Sequence, residues 1–128
     1  MPTFKRIEDI EAWQLARSLF REILQICEET GLAKDFKLRD QIKASSGSVM
    51  DNIAEGFGRG GNKEFVQFLE VSHASCTETQ SQLYRVLDNR FIDQERFDHI
   101  YNIAKRTDGA VLGLIRYLQS SDFRGPRF

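Results

Sequence analysis

The sequence predicts an all-α protein, an antiparallel up-down-up-down four-helix bundle with a left-handed twist. Three observations lead to this prediction. Apolar residues recur at three- and four-residue steps in four long segments, as on the buried face of a helix. Each segment has about 20 to 27 residues, which gives rods of about 30 to 40 Å. The connections are short, so consecutive helices must run in opposite directions.

Size and composition indicate one domain spanning residues 1–128. The chain is 41% hydrophobic and 29% charged, as expected for a globular protein with a single core. Its formal net charge is −1, so any nucleic-acid surface must be a local patch. No run of about 18 apolar residues occurs, so we expect no membrane partner and a cytoplasmic location.

The first helix is predicted over about residues 7–30 and carries two neighbouring apolar stripes. One contains Ile10, Trp13, Phe20, Leu24 and Cys27, and the other contains Ala12, Ala16, Leu19, Ile23 and Ile26. A bundle core uses about one stripe per helix, so the second stripe indicates a further buried surface. Gly31 follows the last periodic residue, where a helix end favours glycine.

The second helix is predicted over about residues 35–55 and is unusually small at its centre. Its inward positions are Leu38, Ile42, Ser45, Val49 and Asn52. Residues 44–48 read Ala-Ser-Ser-Gly-Ser, and a glycine inside a helix costs about 1 kcal/mol relative to alanine. We therefore expect a close approach at Gly47 and Ser48, either by the third helix near residues 72–79 or by a ligand or partner.

A glycine-rich connection joins the second and third helices. Gly56 is predicted to cap the second helix in the left-handed conformation, and Asn62 to be the N-cap of the third. The backbone N–H groups of this loop, beside Arg59 and Lys63, are a candidate anion site.

The third helix is predicted over about residues 62–89, with a heptad seam that is apolar at both ends and small and polar at its centre. The seam contains Phe65, Leu69, Ser72, Cys76, Thr79, Leu83 and Val86. Its polar centre falls where the small segment of the second helix can face it, so hydroxyl groups are expected to bond between the two helices or back to their own backbone.

The fourth helix is predicted over about residues 93–119, with Asp93 as N-cap and a staple between Ile92 and Phe97. Its seam contains Phe97, Ile100, Ala104, Thr107, Val111, Leu114 and Leu118. A second stripe, Ile103, Ala110 and Tyr117, repeats every seven residues and indicates an oligomer interface. Residues 120–128 are predicted to be a flexible, non-helical tail.

No catalytic, metal-binding or cofactor-binding residue is predicted. Glu70-x-x-His73 has the spacing of a di-iron bundle site, but the other histidine, His99, is preceded at that spacing by Arg96. The glycine loop has P-loop spacing without the required Lys-Ser/Thr ending or a preceding strand. No serine or cysteine has an evident base, and the two cysteines are expected to be buried, reduced thiols.

Two interpretations of the charged residues around the loop remain open. In the first, a local basic cluster binds nucleic acid or another anion, with acidic residues interleaved. Its members are Arg39, Lys43, Arg59 and Lys63. In the second, the polar residues are structural: Asn52 and Glu55 tie the loop back, beside Gly56 and Gly58, and Glu78 pairs with Lys43 or Arg39.

Nearly the whole chain resembles one known family. The most specific motif is Asn52-Ile53-Ala54-Glu55-Gly56 followed by Gly58-Arg59. Further matching positions are Ile10 to Ala16, Gln41-Ile42-Lys43, Ser48-Val49, Lys63-Glu64-Phe65, Phe68-Leu69, Ser75 and Glu78. In these residues the chain is similar to the 23S rRNA-intervening sequence proteins, which are four-helix bundles.

We predict a non-enzymatic protein, and the resemblance implies that it is associated with nucleic acid or the ribosome. Members are encoded within intervening sequences of ribosomal RNA genes, and relatives are accessory proteins of diversity-generating retroelements. Those relatives assemble as homopentamers, which implies a homo-oligomer here, with RNA or DNA as a further partner. Two other classes stay open: an interaction scaffold that binds no nucleic acid, and a small-anion-binding module at the glycine loop.

Overall fold

Residues 4–120, which the computed structural model describes, form four α-helices and no strand. The helices are α1, Glu11–Glu29; α2, Phe36–Arg59; α3, Asn62–Asp88; and α4, Gln94–Ser120. Short 3-10 helices at Ile7–Asp9 and Gly31–Lys34 precede α1 and α2. The predicted all-α four-helix fold is confirmed.

Neighbouring helices pack antiparallel around one core. α1 and α3 each contact both α2 and α4, so the four helices enclose the core between them. On α2 and α3, Ser45 bonds to Thr79 while Ser72 bonds to the carbonyl of Val49. Residue numbers rise along one helix as they fall along the other, which is the antiparallel register expected from short connections.

The predicted seams of α3 and α4 are buried at every position. On α2 the prediction holds from Leu38 to Val49, but Asn52 is only half-buried and Ile53 lies in the core instead. On α1 the stripe from Ala12 to Ile26 is fully buried. Of the other α1 stripe, Ile10 and Cys27 are buried, whereas Trp13, Phe20 and Leu24 are half-buried.

The end of α2 differs from the prediction. α2 continues to Arg59 instead of ending near residue 55, and the left-handed residue is Gly60, with φ of 98°. Gly56 lies buried inside the helix, where an added Cβ would sit 2.8 Å from the Cβ of Phe68 and 2.9 Å from Cδ1 of Phe65. The glycine therefore permits a close approach of α3 and does not cap α2.

The N-caps predicted for α3 and α4 have different outcomes. Asn62 is the first residue of α3, and the N-cap is Gly61, so the prediction for Asn62 is wrong by one position. Asp93 caps α4 as predicted, since its Oδ1 accepts from the backbone N–H of Arg96 at 2.9 Å. Ser120 ends α4, and the predicted tail otherwise lies outside the described residues.

Hydroxyl groups join α2 to α3 at the predicted small centre. Ser48 and Ser75 are 2.8 Å apart through their Oγ atoms, and Ser45 Oγ lies 2.9 Å from Thr79 Oγ1. Gly47 was expected to face α3, and this expectation is wrong. Its nearest neighbour is Phe20 of α1, 3.5 Å from an added Cβ. The small segment thus lets two different helices approach α2.

Candidate functional site

The chain reverses between α2 and α3 through two glycines. Gly60 takes the left-handed conformation, and Gly61 is extended at φ −113° and ψ 152°. Only glycine adopts the first of these without strain. The N-cap, Gly61, has no side chain to cap the first turn of α3, so the backbone N–H groups of this turn can bind an anion, although Glu64 places a carboxylate in the same turn.

Two cations flank this turn. Arg59 pairs with Glu55 at 3.1 Å, and its guanidinium lies 5.1 Å from the ring centroid of Phe68. Lys63 is exposed and makes no ion pair within the described residues. An exposed ion pair contributes only about 0 to 1 kcal/mol, so a phosphate can compete with Glu55 for Arg59.

A groove of about 390 Å³ lies beside Lys63, between the start of α3 and the end of α4. It is lined by Asn62, Lys63, Val66, Gln67, Glu70, Leu118 and Gln119. Oδ1 of Asn62 is buried and accepts no hydrogen bond from the residues that the structure describes. The lining contains both the cation of Lys63 and the carboxylate of Glu70, so the groove is not specific for anions.

Arg39 and Lys43 are not part of this site. α2 is continuous from Phe36 to Arg59, so twenty residues, or about 30 Å of helix, separate Arg39 from Arg59. The single basic cluster expected from the sequence is therefore two separate pairs. Arg39 is held by Asp40 at 3.0 Å and by the carbonyl of Ala33 at 3.1 Å.

Two of the residues predicted to be structural, Asn52 and Glu78, make contacts other than those expected. Asn52 donates to the carbonyl and Oγ of Ser48, at 2.8 and 2.9 Å, and so does not tie back the loop. Glu55 holds Arg59, the last residue of α2. Glu78 accepts from Gln82 at 3.4 Å instead of pairing with Arg39 or Lys43.

Gly58, the second glycine of the motif, is exposed within α2, and an added Cβ there would have no neighbour within 4 Å. Space does not require glycine at this position. Nothing in the structure explains its presence.

The predicted interface residues Ile103, Ala110 and Tyr117 are half-buried along one edge of α4 and pack against the core. Beside them, a groove of about 500 Å³ lies between α4 and the segment that leads into α1. Its lining is Phe4, Asp9, Ile10, Glu11, Ala12, Gly109, Ala110, Gly113 and Leu114. An added Cβ on Gly109 or Gly113 would have no neighbour within 4 Å, so packing inside the chain does not require either glycine.

Two side-chain clusters were missed by sequence reasoning. His73 Nδ1 and Asp108 Oδ1 are 2.6 Å apart and join α3 to α4. Tyr84, Phe97 and Tyr101 form an aromatic cluster, with ring centroids 4.8 to 5.5 Å apart. The pairing of His73 with Asp108 could have been predicted from the sequence. Each residue directly follows a seam residue, and antiparallel packing of α3 and α4 brings the positions beside the two seams together.

The cysteines are free and buried, as predicted. Burial raises the pKa of Cys76 to about 12 and also raises the pKa of Cys27. Thiols of this kind are poor nucleophiles at neutral pH. Within residues 4–120, no group of three or more His, Cys, Asp or Glu side chains is placed to hold a metal ion.

None of the helices in residues 4–120 has the length and apolar character needed to cross a lipid bilayer. The fold and surface define a four-helix bundle with exposed cations at both ends of α2. The profile of the 23S rRNA-intervening sequence proteins matches residues 8–111, and the chain belongs to this family. The resemblance seen in the sequence is therefore confirmed.

A similar solved structure is that of a protein of unknown function from the S23 ribosomal protein family of Bacteroides thetaiotaomicron VPI-5482. It is 19% identical, with a TM-score of 0.75, and the match covers 82% of this chain and 95% of that chain. At this identity the likeness shows the shared fold. No curated protein sequence matches this chain.

Proposed function

We propose that this protein is a non-enzymatic, oligomeric four-helix bundle that associates with nucleic acid, with ribosomal RNA as the first candidate ligand. The observation that carries the proposal is the family match over residues 8–111. The turn between α2 and α3 supports it, since an uncapped helix N-terminus lies beside Arg59 and Lys63. The buried free thiols Cys27 and Cys76 fit the cytoplasmic location that we propose.

Binding at this turn would be directed at the phosphate backbone. Backbone N–H groups and the two cations recognise phosphate oxygens, which carry no sequence information. One subunit offers few contacts, and the net charge of −1 adds no attraction. In an oligomer the same turn is repeated around the assembly, so weak contacts combine into useful affinity.

The test measures how binding depends on salt. Wild type should retard structured ribosomal RNA at about 50 mM salt, and Arg59→Ala with Lys63→Ala should reduce the slope of log K against log salt by about 1.4 to 1.8. Arg17→Ala with Arg21→Ala removes the same charge from exposed positions on α1 and should keep the slope. Absence of wild-type binding, or an unchanged slope in the Arg59 and Lys63 variant, contradicts the role of this turn.

A scaffold without nucleic-acid binding is the second candidate. The two arginines of the predicted basic cluster are each paired with a neighbouring carboxylate, Arg39 with Asp40 and Arg59 with Glu55. This pairing reduces the charge that they offer to a nucleic acid and favours the scaffold. An assembly that stays intact but binds neither RNA nor DNA at low salt would replace the first proposal with this one.

A further inference from the structure

The most exposed large apolar side chain in residues 4–120 is Phe36, the first residue of α2, at 64% exposure. A single exposed apolar residue is common on protein surfaces and carries no function by itself. What distinguishes Phe36 is its setting among cations, at the end of the bundle opposite the turn between α2 and α3.

Four of the eighteen lysines and arginines fall within residues 34–43. With Phe36 they form what we call the Phe36 patch: Lys34, Phe36, Lys37, Arg39 and Lys43. Arg39 lies against the phenyl ring, with its guanidinium carbon 4.9 Å from the ring centroid. The ring remains mostly exposed despite this contact.

The acidic residues of this segment are already engaged. Asp35 is the N-cap of α2 and accepts from the backbone N–H of Leu38 at 3.2 Å. Asp40 accepts from Nε of Arg39 at 3.0 Å. The three lysines of the patch are exposed and make no ion pair within the described part of the chain. Residues 34–43 carry four cations and two carboxylates, and the three unpaired lysines leave a local positive charge near the exposed ring of Phe36.

Helix geometry places three of these groups on one face of α2. Phe36, Arg39 and Lys43 stand at positions i, i+3 and i+7 of α2, which share a face. Lys43 is about 10 Å from Phe36 along the helix axis. An aromatic ring with cations at this spacing fits a single-stranded nucleic acid, whose unpaired bases stack on the ring while its phosphates meet the cations.

We infer that Phe36 stacks on an unpaired base of RNA or DNA, and that the Phe36 patch is a second nucleic-acid contact separate from the turn between α2 and α3. The inference rests on the proposed function in that both require a nucleic-acid partner. It adds a preference for unpaired nucleotides, because bases inside a duplex already stack on one another and offer no free face to a side chain.

The experiment compares a fluorescein-labelled 20-nucleotide RNA of unstructured sequence with the same strand annealed to its complement, by fluorescence anisotropy at about 50 mM salt. Phe36→Leu keeps an apolar side chain but removes the aromatic face. We expect it to weaken single-strand binding by about 5- to 150-fold and to leave duplex binding unchanged. Phe36→Trp should retain the single-strand affinity.

A matched control is Tyr84→Leu, since Tyr84 is also an exposed aromatic residue but lies on the edge shared by α3 and α4. It should bind both probes like wild type. If Phe36→Leu keeps full single-strand affinity while Arg59→Ala with Lys63→Ala loses it, the inference is wrong and the proposed function stands. If wild type binds neither probe, the inference is wrong, and the proposed function is then decided by the binding of structured ribosomal RNA.

Discussion

Gly56 and Gly58 stand two residues apart in α2 and have opposite surroundings. Gly56 is buried against Phe65 and Phe68, whereas Gly58 is exposed with open space around it. Gly56→Ala should destabilise the protein by about 1 to 3 kcal/mol, because the new methyl group overlaps atoms of α3 that are too close to the backbone to move away. Urea unfolding measures the change in free energy.

Gly58→Ala is the matched control. It adds the same methyl group to the same helix and should stabilise the protein by about 0.5 to 1 kcal/mol, the usual gain for alanine over glycine in a helix. A stabilising Gly56→Ala would mean that α2 and α3 do not approach closely at this position.

Cys76 should make stability depend on alkaline pH. Burial raises its pKa from an ordinary value of 9.0 to about 12. Below pH 9 the thiol is neutral in both states. Between pH 9 and 12 the unfolded chain loses this proton and the folded chain keeps it, so unfolding becomes easier as pH rises, by about 1.4 kcal/mol per pH unit.

The measurement compares wild type with Cys76→Ala by urea unfolding at pH 8 and pH 10.5. At pH 8 the variant should be less stable because it lacks the buried sulfur, and this difference should shrink at pH 10.5 as wild type loses stability. A difference that stays constant with pH would show that the folded thiol ionises as freely as the unfolded one.

At the scale of elements, α2 and α3 are joined by buried polar groups as well as by apolar packing. Ser45 Oγ donates to Oε1 of Gln82 at 2.5 Å, and both side chains are buried. Ser45→Ala should cost about 1 to 3 kcal/mol, because it leaves the amide oxygen of Gln82 buried without its partner.

A double-mutant cycle by urea unfolding tests this coupling. Gln82→Leu removes the orphaned amide, so adding it to Ser45→Ala should recover part of the loss. If the two changes are simply additive, the hydrogen bond does not couple the helices and Ser45 acts through packing alone.

The heptad pattern was enough to predict the buried faces of α3 and α4. These seams have regular apolar spacing, and helix periodicity alone decides which side faces inward. The end of α2 was not predictable in the same way. A glycine serves equally for a left-handed cap or for a close approach, and the choice at Gly56 depends on Phe65 and Phe68, whose positions are set by a different helix.

The candidate site was only partly predictable for the same reason. Arg59 and Lys63 adjoin one turn in sequence and in space, so their proximity could be predicted. The separation of Arg39 from Arg59 depends on α2 being one unbroken helix. The importance of Phe36 depends on its exposure, and periodicity does not distinguish an exposed first residue from a buried one.

At the scale of the whole molecule, the groove beside Gly109 and Gly113 is the surface on which we expect a second copy to pack. Gly109→Arg places a charge at an exposed position with free space, so the monomer should fold normally while association is lost. Light scattering at micromolar concentration should give the mass of an oligomer, a pentamer by family resemblance, for wild type and a value near 14.8 kDa for the variant.

Ala74→Arg is the control, since Ala74 is exposed on α3 and away from this groove. It should keep the wild-type mass. A wild-type monomer would remove the oligomer from the proposal, and an oligomeric Gly109→Arg would move the interface to another face.

The two-glycine turn has a consequence for how the chain folds. It brings α2 and α3 together with almost no loop to close, so their pairing costs less chain entropy than the pairing of α1 with α4, which lie at opposite ends of the sequence. We expect the α2–α3 hairpin to form in the transition state for folding. Stopped-flow kinetics should then show Gly56→Ala mainly slowing refolding, while Ile115→Val on α4 mainly speeds unfolding.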